Sequence, residues 1–316
     1  MPPLIRLVEH PGETVTFAEF CAQTDGPGIA VDGYVSGPSA WSKDGPHASF
    51  NHHEGGRRLF TRATCEQARL AVAHGLWDQM LHDGVPGAEV HVNDADPDVC
   101  TAVYVLGHPE RLDDVAVERL VAAEGIIDTT AAFWCPPSVD ADFLAALAWV
   151  YEPCFDARAA GRAADAPGLP ALIEAVIERI EAHVDGRGGS RPAWGDFEER
   201  GRRGGVVAVV EHGPYARMAL RRAGIHAVVA ERRAGPCRHI TLAKASPFAG
   251  PDLDRAYGRL NELERCGPDQ RWGGSDLVGG SPRRMGTALP LDEILAVVAD
   301  CAFGPRRPRP ALFGPG

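Results

Sequence analysis

No stretch of the 316 residues runs to eighteen consecutive apolar positions, so no segment has the length and character of a membrane-spanning helix. The opening Met1-Pro2-Pro3-Leu4-Ile5-Arg6 has no basic region ahead of an apolar stretch, the pattern of a secretory signal, and a cytoplasmic location is the expectation. None of the eight cysteines falls in a C-x-x-C pair, which argues against a cysteine-rich zinc site; a chain of this length also needs no disulfide staples. The thiols read instead as small apolar groups packed in the interior. Positive charge is also in short supply. A net charge of -11 argues against capture of long duplex nucleic acid, while a small anionic substrate met by local arginines or a divalent ion stays compatible. There is neither a P-loop nor a G-x-G-x-x-G turn, so a nucleotide-driven motor or a nicotinamide enzyme has no local support.

What is present is ordinary globular material: 45% hydrophobic and 24% charged residues, enough apolar content to build a core rather than a disordered chain. Short apolar runs alternate with helical patterns in the first half, which predicts an α/β layer structure with a mainly parallel sheet flanked by helices. Residues 28–35 read as a strand with Asp32 near its end, and 88–92 as a strand running into Asn93-Asp94-Ala95-Asp96. Residues 63–81 carry Ala68, Val72, Leu76 and Met80 at helical spacing; 100–106 and 115–123 read as further helices, and 172–184 as a clear one. The stretch 156–170 reads as a loop, and 185–205, dense in Gly, Arg and Glu, as an exposed connection. Beyond it, strands are expected at 205–211, 225–231 and 239–243, with helices near 215–223 and 253–263. The resulting organisation is an N-terminal domain over 1–185, a linker over 186–204, a smaller α/β domain over 205–303 and a frayed tail over 304–316.

Four stretches carry groups able to do chemistry. Asn51-His52-His53-Glu54 follows an apolar run, and a turn after a strand can aim both imidazoles inward, where nitrogen suits Mn, Zn, Fe or Ni. His91-Val92-Asn93-Asp94-Ala95-Asp96-Pro97-Asp98 crowds three carboxylates that repel one another unless a cation neutralises them. A helix cap explains one of the three. An EF-hand is excluded, because the glycine and glutamate its loop requires are absent. Gly125-Ile126-Ile127-Asp128-Thr129 ends an apolar run on an acid. Finally, 272–284 pairs Gly279 and Gly280 with Ser281, Arg283 and Arg284, a set suited to an anion but equally to a flexible surface loop.

Taken together, these stretches resemble the DHH/DHHA1 phosphoesterase superfamily, which includes RecJ-like nucleases, oligoribonucleases and family II inorganic pyrophosphatases. Asp94, Asp96, Asp98 and Thr101 look like its first motif, with His91 as the accompanying imidazole, and Val31-Asp32-Gly33 looks like its second. Asn51-His52-His53 looks like the DHH motif, and Gly125 to Phe133 is similar to its "GI..DT..F" stretch. Residues 224–298 resemble the DHHA1 layout. Two departures stand out: Asn51 replaces the first aspartate of DHH, and the Asp-rich motif follows the histidine pair instead of preceding it. The glycine loop also lacks the family's histidine. The resemblance implies two Mn²⁺ ions (Mg²⁺, Co²⁺ or Fe²⁺ being alternatives) held by Asp32, His52, His91, Asp94, Asp96 and Asp128. It implies His53 and Asp98 as catalytic groups, and Gly279, Gly280, Ser281, Arg283 and Arg284 on the substrate. The expected activity is hydrolysis of a small phosphorylated molecule, nucleotide or short oligonucleotide, by a chain compatible with a homodimer. Two other readings stand beside it: a mononuclear amidohydrolase or oxygenase built on His52, Glu54 and an aspartate, or a catalytically degenerate nucleotide-binding protein.

Overall fold

A computed structural model of the protein describes residues 2–42, 45–53, 57–160, 168–234, 237–267, 270–282 and 285–301. Glu54, Arg283, Arg284 and the tail over 304–316 lie outside the described residues. The chain enters through β1 (Leu4–Glu9), a short β2 (Val15–Thr16) and α1 (Phe17–Gln23), whose Thr16 and Glu19 form a reciprocal capping box. Then come β3 (Gly28–Val31), β4 (Val35–Ser36), β5 (Ala40–Ser42) and β6 (His47–Phe50). Helices α2 (Thr64–Ala73) and α3 (Leu76–Gln79) replace the single helix expected over 63–81. Gly75 sits between them in the left-handed region at φ 88°, which ends one helix and redirects the chain. Next follow β7 (Leu81–His82), β8 (Val85–Val92) and five helices: α4 (Pro97–Gly107), α5 (Val115–Thr129), α6 (Ala141–Val150), α7 (Glu152–Ala159) and α8 (Leu169–Val184).

In the first sheet β1, β8, β3 and β6 lie side by side in that order, all parallel; β5 closes one edge antiparallel and β7 forms a hairpin with β8. The chain visits β3 and β6 before β8, yet β8 inserts between β1 and β3. That crossover sets the loops after β3, β6 and β8 next to one another at the carboxyl edge of the sheet, where open α/β sheets place their ligands. One face carries α2, α4, α5 and α8 over a core of Val90, Val92, Leu106, Leu120, Leu147 and Ile173. The other carries Phe20, Ala30, Tyr34 and Val35.

The stretch expected to be a linker ends in a strand. β9 (Asp196–Arg203) pairs antiparallel with β10 (Val206–His212), with a bulge at Ala208/Val209. Beyond it come α9 (Ala216–Arg222), β11 (Ala227–Ala234), β12 (Cys237–Lys244), α10 (Leu253–Glu264), β13 (Gly273–Gly274), β14 (Val278–Gly280) and α11 (Leu291–Asp300). Together they build a mixed sheet in the order β13-β14-β12-β11-β10-β9. One face packs α10 and α11 through Val229, Ile240, Leu242, Leu260 and Ile294. The other brings Val207, Val228, Ala230 and Ala243 against Ala131 and Phe133, which follow α5 in the first half of the chain. Tyr215 and Met218 of the second half in turn join the core of the first sheet. The fold is thus mixed α/β with a mostly parallel first sheet, and no helix among the described residues is long and apolar enough to cross a membrane.

Candidate metal centre

Four polar side chains from four elements meet at the carboxyl edge of the first sheet. Asp32 directly follows β3 and holds a left-handed backbone at φ 45°, a conformation short polar residues tolerate and one that recurs at functional sites. His52 follows β6, Asp98 lies in the first turn of α4, and Asp128 in the last turn of α5. His52 is buried, and its Nε2 stands 3.0 Å from Asp128 Oδ2, 3.3 Å from Asp32 Oδ1 and 3.6 Å from Asp98 Oδ2. Despite that crowding, both ring nitrogens and Asp128 Oδ2 lack a hydrogen-bond partner among the described residues. Buried polar atoms left so are rare, and a ring nitrogen among three carboxylate oxygens is the environment a divalent cation completes. The candidate ligand atoms form two overlapping groups, Asp32/His52/His53 and His52/Asp98/Asp128, each within 4.8 Å.

Local geometry explains the placement of each group. Asp98 receives Thr64 N and Cys65 N, each at 2.8 Å, so the amino end of α2 holds both its oxygens. Both oxygens are thereby committed, so its position is that of a fixed anion beside His52 rather than of a free acid-base group. Asp128 sits at the negative end of α5, an unfavourable place for a carboxylate. Arg58 compensates: the buried guanidinium pairs with the Asp128 carboxylate through Nη2 and with its carbonyl through Nε at 3.0 Å. Gly125, one turn earlier, has no room for a Cβ beside Glu66 of α2, and this lets the two helices close on each other.

Asn51 shows why an amide stands at the head of the histidine pair. Its Nδ2 donates to Val35 O at 2.9 Å and Gly37 O at 2.8 Å, and its Oδ1 accepts from His53 N at 2.9 Å. A carboxylate has no hydrogen to give those two carbonyls. His53, a quarter exposed, places Nε2 2.7 Å from Asp32 Oδ1 and Nδ1 3.2 Å from Arg58 Nη1. A guanidinium only donates, so Nδ1 accepts and the ring proton sits on Nε2, facing Asp32.

The electrostatics are those of an anionic pocket under strain. Burial works to lower the pKa of His52, but Asp128 and Asp32 together overcome it and push the imidazole up to about 10. Burial and Asp128 hold the Asp98 carboxyl up at about 6. Burial works to raise the Asp128 carboxyl, yet Arg58 and His52 keep it near 2. Asp32 is likewise held low, His53 and His52 overcoming burial. Asp96 and Glu124 are raised well above the carboxylate range, by burial first and then by surrounding acids.

Several expected ligands lie elsewhere. His91 points to the opposite face of the sheet, where it stacks with His10 and Tyr34 at centroid distances of 5.1 and 5.6 Å and packs edge-on to Phe20. Residues 90 and 92 of β8 face the helices, so strand alternation turns 91 away from them. Asp94 accepts from Ala95 N, and Asp96 caps α4 by accepting from Val99 N; neither joins the two candidate groups, although Asp96 is close enough to feel Asp32, Asp128 and Asp98. Gly279 and Gly280 belong to β14, paired with β12 on one side and β13 on the other, so their backbone serves the sheet and not an anion. Ser281 is tied the same way, its Oγ accepting from Ile240 N at 3.0 Å. Sequence reasoning missed Arg58 and Thr64, whose Oγ1 donates to Asp32 at 3.2 Å. An arginine a few residues past a histidine pair was the one available signal for Arg58. Comparison with protein-family models, with curated proteins and with solved structures finds no match for this chain.

Proposed function

We propose that the protein is a metal-dependent phosphohydrolase of the DHH type, acting on a small phosphorylated molecule, nucleotide or short oligonucleotide. The observation that carries the reading is the buried His52 ring, surrounded by Asp32, Asp98 and Asp128 with no hydrogen bond to its nitrogens among the described residues. Convergence of the Asp32, histidine-pair, Asp98 and Asp128 stretches on one sheet edge supports it as well, because the strand order brings together stretches that lie far apart in the sequence. In this reading the two sheets are two domains, and substrate lies at the carboxyl edge of the first sheet.

His52, Asp32, Asp98 and Asp128 offer one nitrogen and three carboxylates, a donor set suited to Mn²⁺ or a related ion. The two overlapping groups, Asp32/His52/His53 and His52/Asp98/Asp128, would hold two such ions. Divalent ions there supply Lewis acidity: they lower the pKa of bound water and neutralise phosphoryl oxygens. The chain does the rest. His53 Nε2–H, once released from Asp32, donates a hydrogen bond to the charge that develops on the phosphoryl or departing oxygen. Arg58, bonded to His53 Nδ1, holds the ring in that tautomer, and Asn51 fixes its backbone. Asp98, clamped by two amides, holds its place without moving.

A second reading has a specific observation behind it. Asp32, His52 and His53 form a two-histidine, one-carboxylate set of the kind that serves a single iron ion. Metal identity and count separate the two.

The phosphohydrolase reading predicts Mn²⁺-dependent hydrolysis of bis(p-nitrophenyl) phosphate. His52→Ala should lower that turnover by at least about a hundredfold, because losing a ligand costs more than losing its outer partner, while circular dichroism stays native. Full turnover in the variant, or no hydrolysis of any phosphoester by the parent protein, would overturn it.

A further inference from the structure

The stretch 272–284 touches the metal centre through an acid and not through its glycines. Arg58 opens a short helical turn (Arg58–Phe60), and the residue before it supplies no side-chain cap. The first main-chain N–H of such a turn has no partner within it. Here that N–H, on Arg58 itself, donates to Asp276 Oδ1 at 3.1 Å, across 218 residues of chain. Asp276 is buried, and its other oxygen stands 3.6 Å from Arg57 Nη1. The same Arg58 sends its guanidinium to the Asp128 carboxylate, the Asp128 carbonyl and His53 Nδ1. A long, rotamer-rich side chain can meet three partners at once only when its Cα is held in place.

Asp276 is itself firmly seated. Ser275, just before it, closes a turn: its Oγ accepts from Leu277 N at 3.3 Å and Val278 N at 3.1 Å, and its N–H donates to Val278 O at 2.8 Å. The Tyr257 hydroxyl of α10 donates to Ser275 O at 3.1 Å and ties that turn to the second sheet's own helix. A second loop from the same half meets the same helical turn. Phe248 packs edge-on against Phe60 at a centroid distance of 6.0 Å, and Lys244 Nζ holds that loop through Ala249 O at 3.3 Å and Pro251 O at 2.8 Å. A bond that merely joined the two halves could end anywhere on the turn. This one ends on the residue whose guanidinium serves Asp128 and His53.

We propose that Asp276 is a positioning residue of the metal centre: by holding the Arg58 main chain it fixes the Arg58 side chain on Asp128 and His53. The second half of the chain thereby sets the geometry of a centre whose polar groups all come from the first half. Its effect on turnover rests on the phosphohydrolase reading; the placement of Arg58 does not. Outer partners of a metal ligand act in this way, orienting the ligand without touching the ion.

The test follows the Arg58 Nε–H by hydrogen exchange in ¹⁵N spectra of the full chain freed of divalent ions. In the parent protein Nε–H and the Arg58 main-chain N–H should be protected alike, because one opening releases both. Asp276→Ala should speed Nε–H exchange by about ten- to a hundredfold, the worth of one hydrogen bond to a charged group. Asp276→Asn keeps an oxygen for Arg58 N and should exchange at the parent rate. Phe248→Ala loosens the same turn without touching that bond and should also stay at the parent rate. Parent Nε–H exchange far faster than that of the main-chain N–H overturns the proposal even if Asp276→Ala fails to fold. Unchanged exchange in Asp276→Ala, or equal acceleration in Phe248→Ala, overturns it too. Mn²⁺ with bis(p-nitrophenyl) phosphate then separates the two claims: kcat should fall in Asp276→Ala at unchanged KM and return in Asp276→Asn. Faster exchange in Asp276→Ala without hydrolysis of any phosphoester by the parent sinks the phosphohydrolase and leaves the positioning role standing. Hydrolysis by the parent with exchange unchanged in the variant does the reverse.

Discussion

Asp98 holds a carboxyl at about 6, above its ordinary 3.8, because burial and Asp128 disfavour its charge. The folded chain thus keeps a proton that the unfolded chain releases, and in ion-free protein stability falls as pH rises from about 4 through 6. His52, raised from 6.5 to about 10, adds stability that is fully present below its ordinary pKa and is lost as pH rises toward the higher value. Asp128, held near 2, runs oppositely: its contribution is present above 3.8 and lost as pH falls through 2. Ion-free protein should therefore melt highest in mildly acidic buffer, with Tm declining between about pH 5 and about pH 8. Mn²⁺ should flatten that decline, since a cation rewards ionised Asp98 and neutral His52. Thermal unfolding across that range checks it; an ion-free Tm that climbs from about pH 5 to about pH 8 contradicts the sign worked out here.

At the scale of elements, β14 shows how a glycine pair can serve packing. A Cβ on Gly279 would collide with the Tyr257 hydroxyl and the Gly273 carbonyl. Gly279→Ala should lower stability by about 1–3 kcal/mol, the usual cost of overpacking, read from the shift in urea midpoint. Unchanged stability together with lost phosphate affinity would instead restore the glycines to the substrate. The sequence could not make this distinction, because a paired glycine in a strand and one in an anion loop leave the same letters. β9 escaped for a related reason: a charged, mostly exposed edge strand has no apolar alternation to reveal it. By contrast β3 and β8 were readable as short apolar runs and α8 by its helical apolar spacing. Asp32, His52 and Asp128 were readable as candidates because each is a polar group set at the end of an apolar run, and the fold brings them together. Arg58 was not, because its contact with Asp128 comes from tertiary proximity across more than fifty residues of chain.

The whole molecule turns on one topological fact. β8 inserts between β1 and β3, so loops that are distant in sequence share one edge of a parallel sheet. The Asp32, Asp98 and Asp128 carboxylates gather there around His52, with Arg58 as a partial counterweight. Ionising such a cluster without a cation is costly. The most direct measurement is therefore metal content per chain by mass spectrometry, after purification and after reconstitution with Mn²⁺, for the parent, His52→Ala and His91→Ala. The account predicts about two ions in the parent, in line with dinuclear hydrolases, loss of ions in His52→Ala, and parent content in His91→Ala. A parent chain that binds no divalent ion even after reconstitution, or a His52→Ala chain that keeps its full complement, would contradict it.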